Sequence, residues 1–120
     1  MEDLTIWKVN GLELYLDIED ADTVEKYEAA MDQLETDSPK DKSDGAAAYI
    51  RAYCKAFRTL YDSLFGDGTA SRIFADVPDN VRKYTAVYGD FLAFVSKQAA
   101  QSQAEMVQIR RKYLPKGGKR

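Results

Sequence analysis

The sequence predicts a mainly α protein with an amino-terminal β-hairpin, an α+β chain in which residues 3–18 form the hairpin and three to four helices follow, the last one long. Three observations predict it. Two runs of β-forming residues flank Asn10-Gly11, apolar residues then recur at helical spacing in long segments, and runs rich in Gly, Pro, Ser and Asp separate those segments. With 120 residues, 45% of them hydrophobic, the chain is expected to close one core. Residues 1–114 read as a single domain, and 115–120 as a basic flexible tail.

Asn10-Gly11 is the dipeptide that best tolerates the two positive φ angles of a type I′ turn, so a two-residue loop sets the register. It pairs Val9 with Leu12, Trp7 with Leu14 and Thr5 with Leu16 on one face. Lys8 with Glu13, Ile6 with Tyr15 and Leu4 with Asp17 share the other. An isolated hairpin is marginal in water, so the Trp7/Leu12/Leu14/Leu16 face must lie on the chain's own helices or on another subunit.

The first helix opens at Asp20 to Asp22, with Asp22 and Glu25 spaced as an N-cap and its reciprocal partner. Val24, Tyr27, Met31 and Leu34 form a narrow apolar stripe, and Glu25, Glu28, Asp32 and Glu35 make the other side acidic, which predicts a surface helix. The run from Thr36 to Gly45 has no apolar residue and reads as a mobile connection. The second helix begins after Ser43 or Asp44 and continues to about Phe65. Its stripe of Ile50, Cys54, Phe57, Tyr61 and Leu64, widened by Tyr53 and Leu60, is the most core-like of the chain. Gly66 is its expected terminator, a short helix spans Thr69 to Phe74, and Pro78 closes the next connection.

The last helix is expected from Asp79 or Asn80 to about Tyr113, a length of about 50 Å. Val81, Tyr84, Tyr88, Phe91, Val95, Ser102, Met106, Ile109 and Tyr113 mark its inner stripe, which thins where Lys97 to Glu105 reads KQAAQSQAE. A helix that outruns its apolar support is either frayed or held by another chain.

Little in the composition points to catalysis. The chain has no histidine, which supplies the commonest general base and metal ligand, and its one cysteine, Cys54, falls on the core stripe. Glu19, Asp20 and Asp22 lie at a helix start, where carboxylates serve the dipole. Asp37, Asp41 and Asp44 lack the glycine and closing glutamate of a calcium loop, and Gly66-Asp67-Gly68-Thr69-Ala70 lacks the lysine and strand of a phosphate loop. The expectation is a non-enzymatic protein without cofactor or metal. The chain also has no leader and no apolar run long enough for a membrane, so it is expected to be soluble, unprocessed and intracellular.

Charge is distributed unevenly. Residues 1–44 carry fourteen carboxylates against four lysines, whereas residues 110–120 carry six basic groups and no acid. The two ends are expected to attract each other within one molecule or between neighbours, or simply to be solvated. Arg110, Arg111, Lys112, Lys116, Lys119 and Arg120 are the candidate basic contacts, and the only feature that suggests nucleic acid. A sequence pI near 5.0 and the lack of aromatics interleaved beyond Tyr113 point instead to an acidic protein surface, including that of a sister subunit.

The run Leu64-Phe65-Gly66-Asp67-Gly68-Thr69-Ala70-Ser71-Arg72-Ile73-Phe74, with the hairpin and the Leu16 to Asp22 helix entry before it and a long helix with a basic end after it, resembles small uncharacterised phage and prophage proteins of Gram-positive bacteria that look like tail assembly chaperones. The resemblance implies a protein that binds tail components such as the tape-measure protein, in the cytoplasm of a bacterial host or in the virion. A structural tail component and a basic-tail regulatory or nucleic-acid-binding module are the alternatives. A chaperone of this kind needs apolar surfaces and self-association, not chemistry. Trp7, Leu14, Leu16, Met106, Ile109 and Tyr113 are the candidate partner-binding positions, the alternative being that all six pack within the monomer.

Overall fold

Asn10 and Gly11 take positive φ angles of 47° and 78°, and the strands on either side pair in the register that this turn dictates. The computed structural model describes residues 3–113, the side chain of Tyr113 excepted. Strand β1 (Ile6–Val9) runs antiparallel to β2 (Leu12–Tyr15), with Ile6 opposite Tyr15, Trp7 opposite Leu14, Lys8 opposite Glu13 and Val9 opposite Leu12. The Leu16 amide donates to the Thr5 carbonyl at 2.8 Å, which carries the pairing one step past the strands.

Four helices follow: α1 (Ala21–Asp37), α2 (Ala46–Phe65), α3 (Thr69–Ile73) and α4 (Val81–Tyr113). The cap of α1 is Asp20 rather than Asp22, because the Asp20 carboxylate accepts from the Thr23 amide at 3.1 Å and from the Thr23 hydroxyl. Gly45, with φ of 102°, precedes α2 without a side-chain cap, and the helix begins after Asp44 as the sequence suggests. Gly66 ends α2 at positive φ, and Gly68 supplies the left-handed residue before α3. The Asp62 carboxylate then reaches forward to accept from the Ala70 amide at 2.8 Å, so that α2 caps α3. Asn80 caps α4 through the Lys83 amide.

The core lies where α2, α4 and the hairpin meet, with α1 packed on α2. Trp7 is 2% exposed and stands among four rings, with centroid distances of 5.1 Å to Phe91, 5.6 Å to Tyr61, 5.9 Å to Phe65 and 6.4 Å to Phe94. Its indole Nε1 donates to Asp90 Oδ2 at 2.9 Å, so the ring is buried without leaving its one donor unpaired. Leu14 and Leu16 are buried beside it. At the tip, the Asn10 amide donates to the Ile73 carbonyl at 2.9 Å and ties the turn to α3.

One polar side chain of α4 completes the docking. Gln98 is 5% exposed; its Oε1 accepts from the Ile18 amide at 2.7 Å, and its Nε2 donates to the carbonyls of Leu16 at 2.9 Å and Leu4 at 3.0 Å. Both strands leave the ladder there, and a single amide supplies the partners that their backbone groups lose. Where the KQAAQSQAE run thins in apolar residues, the helix thus substitutes a buried hydrogen-bonding group for hydrophobic contact.

Candidate functional site

Several of the groups that might carry chemistry make structural contacts. Cys54 is fully buried, and burial first, then the nearby Asp79 carboxylate, pushes its thiol up, away from the reactive thiolate. Asp20 caps α1 and Asp62 caps α3. Glu19 accepts a hydrogen bond from the Ser102 hydroxyl, fastening the entry of α1 to α4. Asp41 accepts from the Ser43 hydroxyl and amide, and these bonds hold its carboxyl below the usual carboxylate range. Arg58 donates to Asp79 at 2.8 Å and to the Tyr84 hydroxyl at 3.1 Å, joining α2 to the start of α4. Among the described residues, no group of three or more acidic or cysteine side chains is placed to hold a metal ion.

Of the six candidate partner-binding residues, the structure separates two groups. Trp7, Leu14 and Leu16 are inside the monomer, so the hairpin face seats on the chain's own helices and does not present these side chains to a partner. The reason is energetic: four aromatic rings of α2 and α4 and the Asp90 acceptor offer Trp7 a complete environment, worth more than exposure to water. Beside the hairpin, β1 and α4 enclose an open cleft of about 560 Å³, lined in part by Leu4, Ile6, Lys8, Phe94 and Lys97.

Met106 and Ile109 belong to the second group. They are 53% and 50% exposed, on a stretch of α4 in which every residue from 103 to 112 is exposed. Beyond the half-buried Ser102 the helix runs on for about 16 Å, exposed throughout as far as Lys112, which helps to make the molecule 64 Å long against 31 and 23 Å across. Val107 adds a third exposed apolar side chain, one that the stripe analysis missed because it lies off the line of the core-facing residues. Arg110, Arg111 and Lys112 close the same segment. The combination is an amphipathic helix end with Met106 and Ile109 on one side and cations flanking them. Lys116, Lys119 and Arg120 lie outside the described residues, as does the Tyr113 side chain.

A second charged surface faces solvent on α1. Glu25, Glu28, Asp32 and Glu35 are all exposed, and none makes an ion pair among the described residues. Val24 and Met31, half-buried, border this stripe on its core side. No helix of the described residues is long and apolar enough to cross a membrane.

Residues 10–120 match the model of a family of unknown function, DUF6673. No curated protein and no solved structure matches the chain.

Proposed function

The chain belongs to this family of unknown function, and we propose that it is a non-enzymatic phage tail-assembly protein, chaperone-like, that binds other tail components such as the tape-measure protein. The observation that carries the reading is the end of α4: a helical segment exposed from 103 to 112, holding Met106, Val107 and Ile109 beside Arg110, Arg111 and Lys112. Large apolar side chains on a projecting helix lose free energy in water and recover it against a partner's groove or helix. The resemblance carried by residues 64–74 supplies the biological setting, and the structural employment of Cys54, Asp20 and Asp62 agrees with a function in surfaces.

The test is capture of the tape-measure product encoded in the same genome by the intact chain. Binding is expected, and Met106→Asp with Ile109→Asp is expected to weaken it about tenfold or more, since both substitutions place a charge where apolar contact is made. Failure to bind, together with normal tails in a phage deleted for the gene, would sink the proposal. Mass spectrometry of purified particles separates the structural-component reading, in which the protein stays in the virion, from the chaperone reading, in which it does not.

A further inference from the structure

We infer that the α4 end docks on the acidic face of α1 in a second copy of the same chain, so that copies associate head to tail. The inference rests on the reading of the α4 end as a docking surface and adds what sits on it.

The two surfaces are opposite in sign. Successive residues of a helix advance by about 100°, which places Met106 and Ile109 side by side on the α4 end, with Arg110 on one flank and Lys112 on the other. The same geometry on α1 places Val24 and Met31 together, with Glu28 and Glu35 immediately beside them and Asp32 and Glu25 further round. The α4 end thus offers an exposed apolar pair with Arg110 on one flank and Lys112 beyond Glu105 on the other, and α1 offers a row of exposed carboxylates along the outer edge of Val24 and Met31, whose inner edge turns to the core. Arg110 and Arg111 make no ion pair among the described residues, and neither do Glu25, Glu28, Asp32 and Glu35 of α1. The uneven distribution of charge along the chain, acidic over residues 1–44 and basic over 110–120, is the large-scale form of the same complementarity.

The contact must be between molecules. A continuous helix cannot bend back on itself, and residues 103–112 are all exposed. Because donor and acceptor surfaces differ, the association is heterologous: each copy keeps one free end of each kind, and the assembly closes into a ring or extends as a filament.

Molar mass measured by light scattering or sedimentation on the full chain, at low and high salt, tests the inference. Wild type should show masses above the 13.6 kDa of one chain that rise with concentration and fall as salt is added. Arg110→Glu with Arg111→Glu should weaken association about tenfold or more, and so should Glu28→Lys with Asp32→Lys, because each puts like charges face to face. Mixing the two double variants should restore association, since the reversed α4 end of one then meets the reversed α1 of the other. Helix content by circular dichroism confirms that each variant is folded. A monomeric wild type overturns the inference, as does a mixture of folded variants that stays monomeric. Persistent self-association of the α1 variant alone overturns it in favour of contact between two α4 ends. A wild-type monomer whose only salt-sensitive binding is to DNA or RNA overturns it in favour of a nucleic-acid surface. Failure of self-association leaves capture of the tape-measure product to be judged separately, so the two proposals fail independently.

Discussion

At the scale of single residues, two buried polar groups have opposite consequences. Gln98 satisfies three backbone groups of the hairpin, at Leu4, Leu16 and Ile18, so Gln98→Ala leaves all three without their partner. A loss of about 2–4 kcal/mol is expected in urea unfolding, followed through the fluorescence of Trp7, the single tryptophan, which reports the hairpin directly. Tyr61 is the converse case: its ring is wholly buried and its hydroxyl donates to no described residue. Tyr61→Phe removes an unpaired polar group at nearly constant shape and should stabilise the protein by about 1 kcal/mol. Burial, and secondarily the charges of Tyr88 and Asp90, also pushes the Tyr61 phenol well above its usual value. The folded chain therefore keeps a proton that the unfolded chain releases near pH 10, and stability is intact below that pH and declines as pH rises beyond it. Burial likewise raises Tyr27, Tyr84 and Tyr88, so Tyr61→Phe should lessen this alkaline loss without abolishing it, as urea midpoints at pH 8 to 11 will read.

At the scale of elements, the hairpin and the end of α4 part company. The hairpin is part of the core, held by Trp7 against four rings, by Gln98 at its open end and by Asn10 at its tip. From 103 to 112 the end of α4 contributes no buried side chain. Ending the chain after Gln103 should accordingly change the unfolding free energy of the monomer by no more than about 0.5 kcal/mol while removing association and partner capture together. A large loss of stability in that truncation would mean that the segment packs on its own fold. The local readings at this scale were legible because they depend on neighbours in sequence: the Asn10-Gly11 turn sets the strand register, and the stripe of Ile50 to Leu64 sets α2. The α1 cap was misplaced by two residues because Asp20 and Asp22 are chemically alike, and only the backbone direction decides which carboxylate meets the Thr23 amide.

For the whole molecule, the absence of histidine has a direct consequence. With no imidazole in 120 residues, and with burial pushing Cys54 and Tyr61 upward, the chain lacks the side chain whose ordinary titration falls between pH 6 and 8. Melting temperature and solution mass should both stay level across that window, while mass responds to salt; a sharp transition in pH would require a titrating group that the chain does not show. The elongated shape follows from one helix of 33 residues whose body-facing stripe ends before the helix does.

The residues alone determined the α+β class, the hairpin register and the order of the helices with a long last one, because turn chemistry and apolar periodicity act over a few residues; the exposure of Met106 and Ile109 came from the fold. Tertiary structure decided what the hairpin face was for. Trp7 bonds Asp90 across 83 positions and Gln98 bonds Leu16 across 82, and no local pattern encodes a pairing at that separation. Burial is a property of the neighbours that a side chain acquires on folding, which is why Trp7, Leu14 and Leu16 read as docking candidates in the sequence and stand as core in the fold.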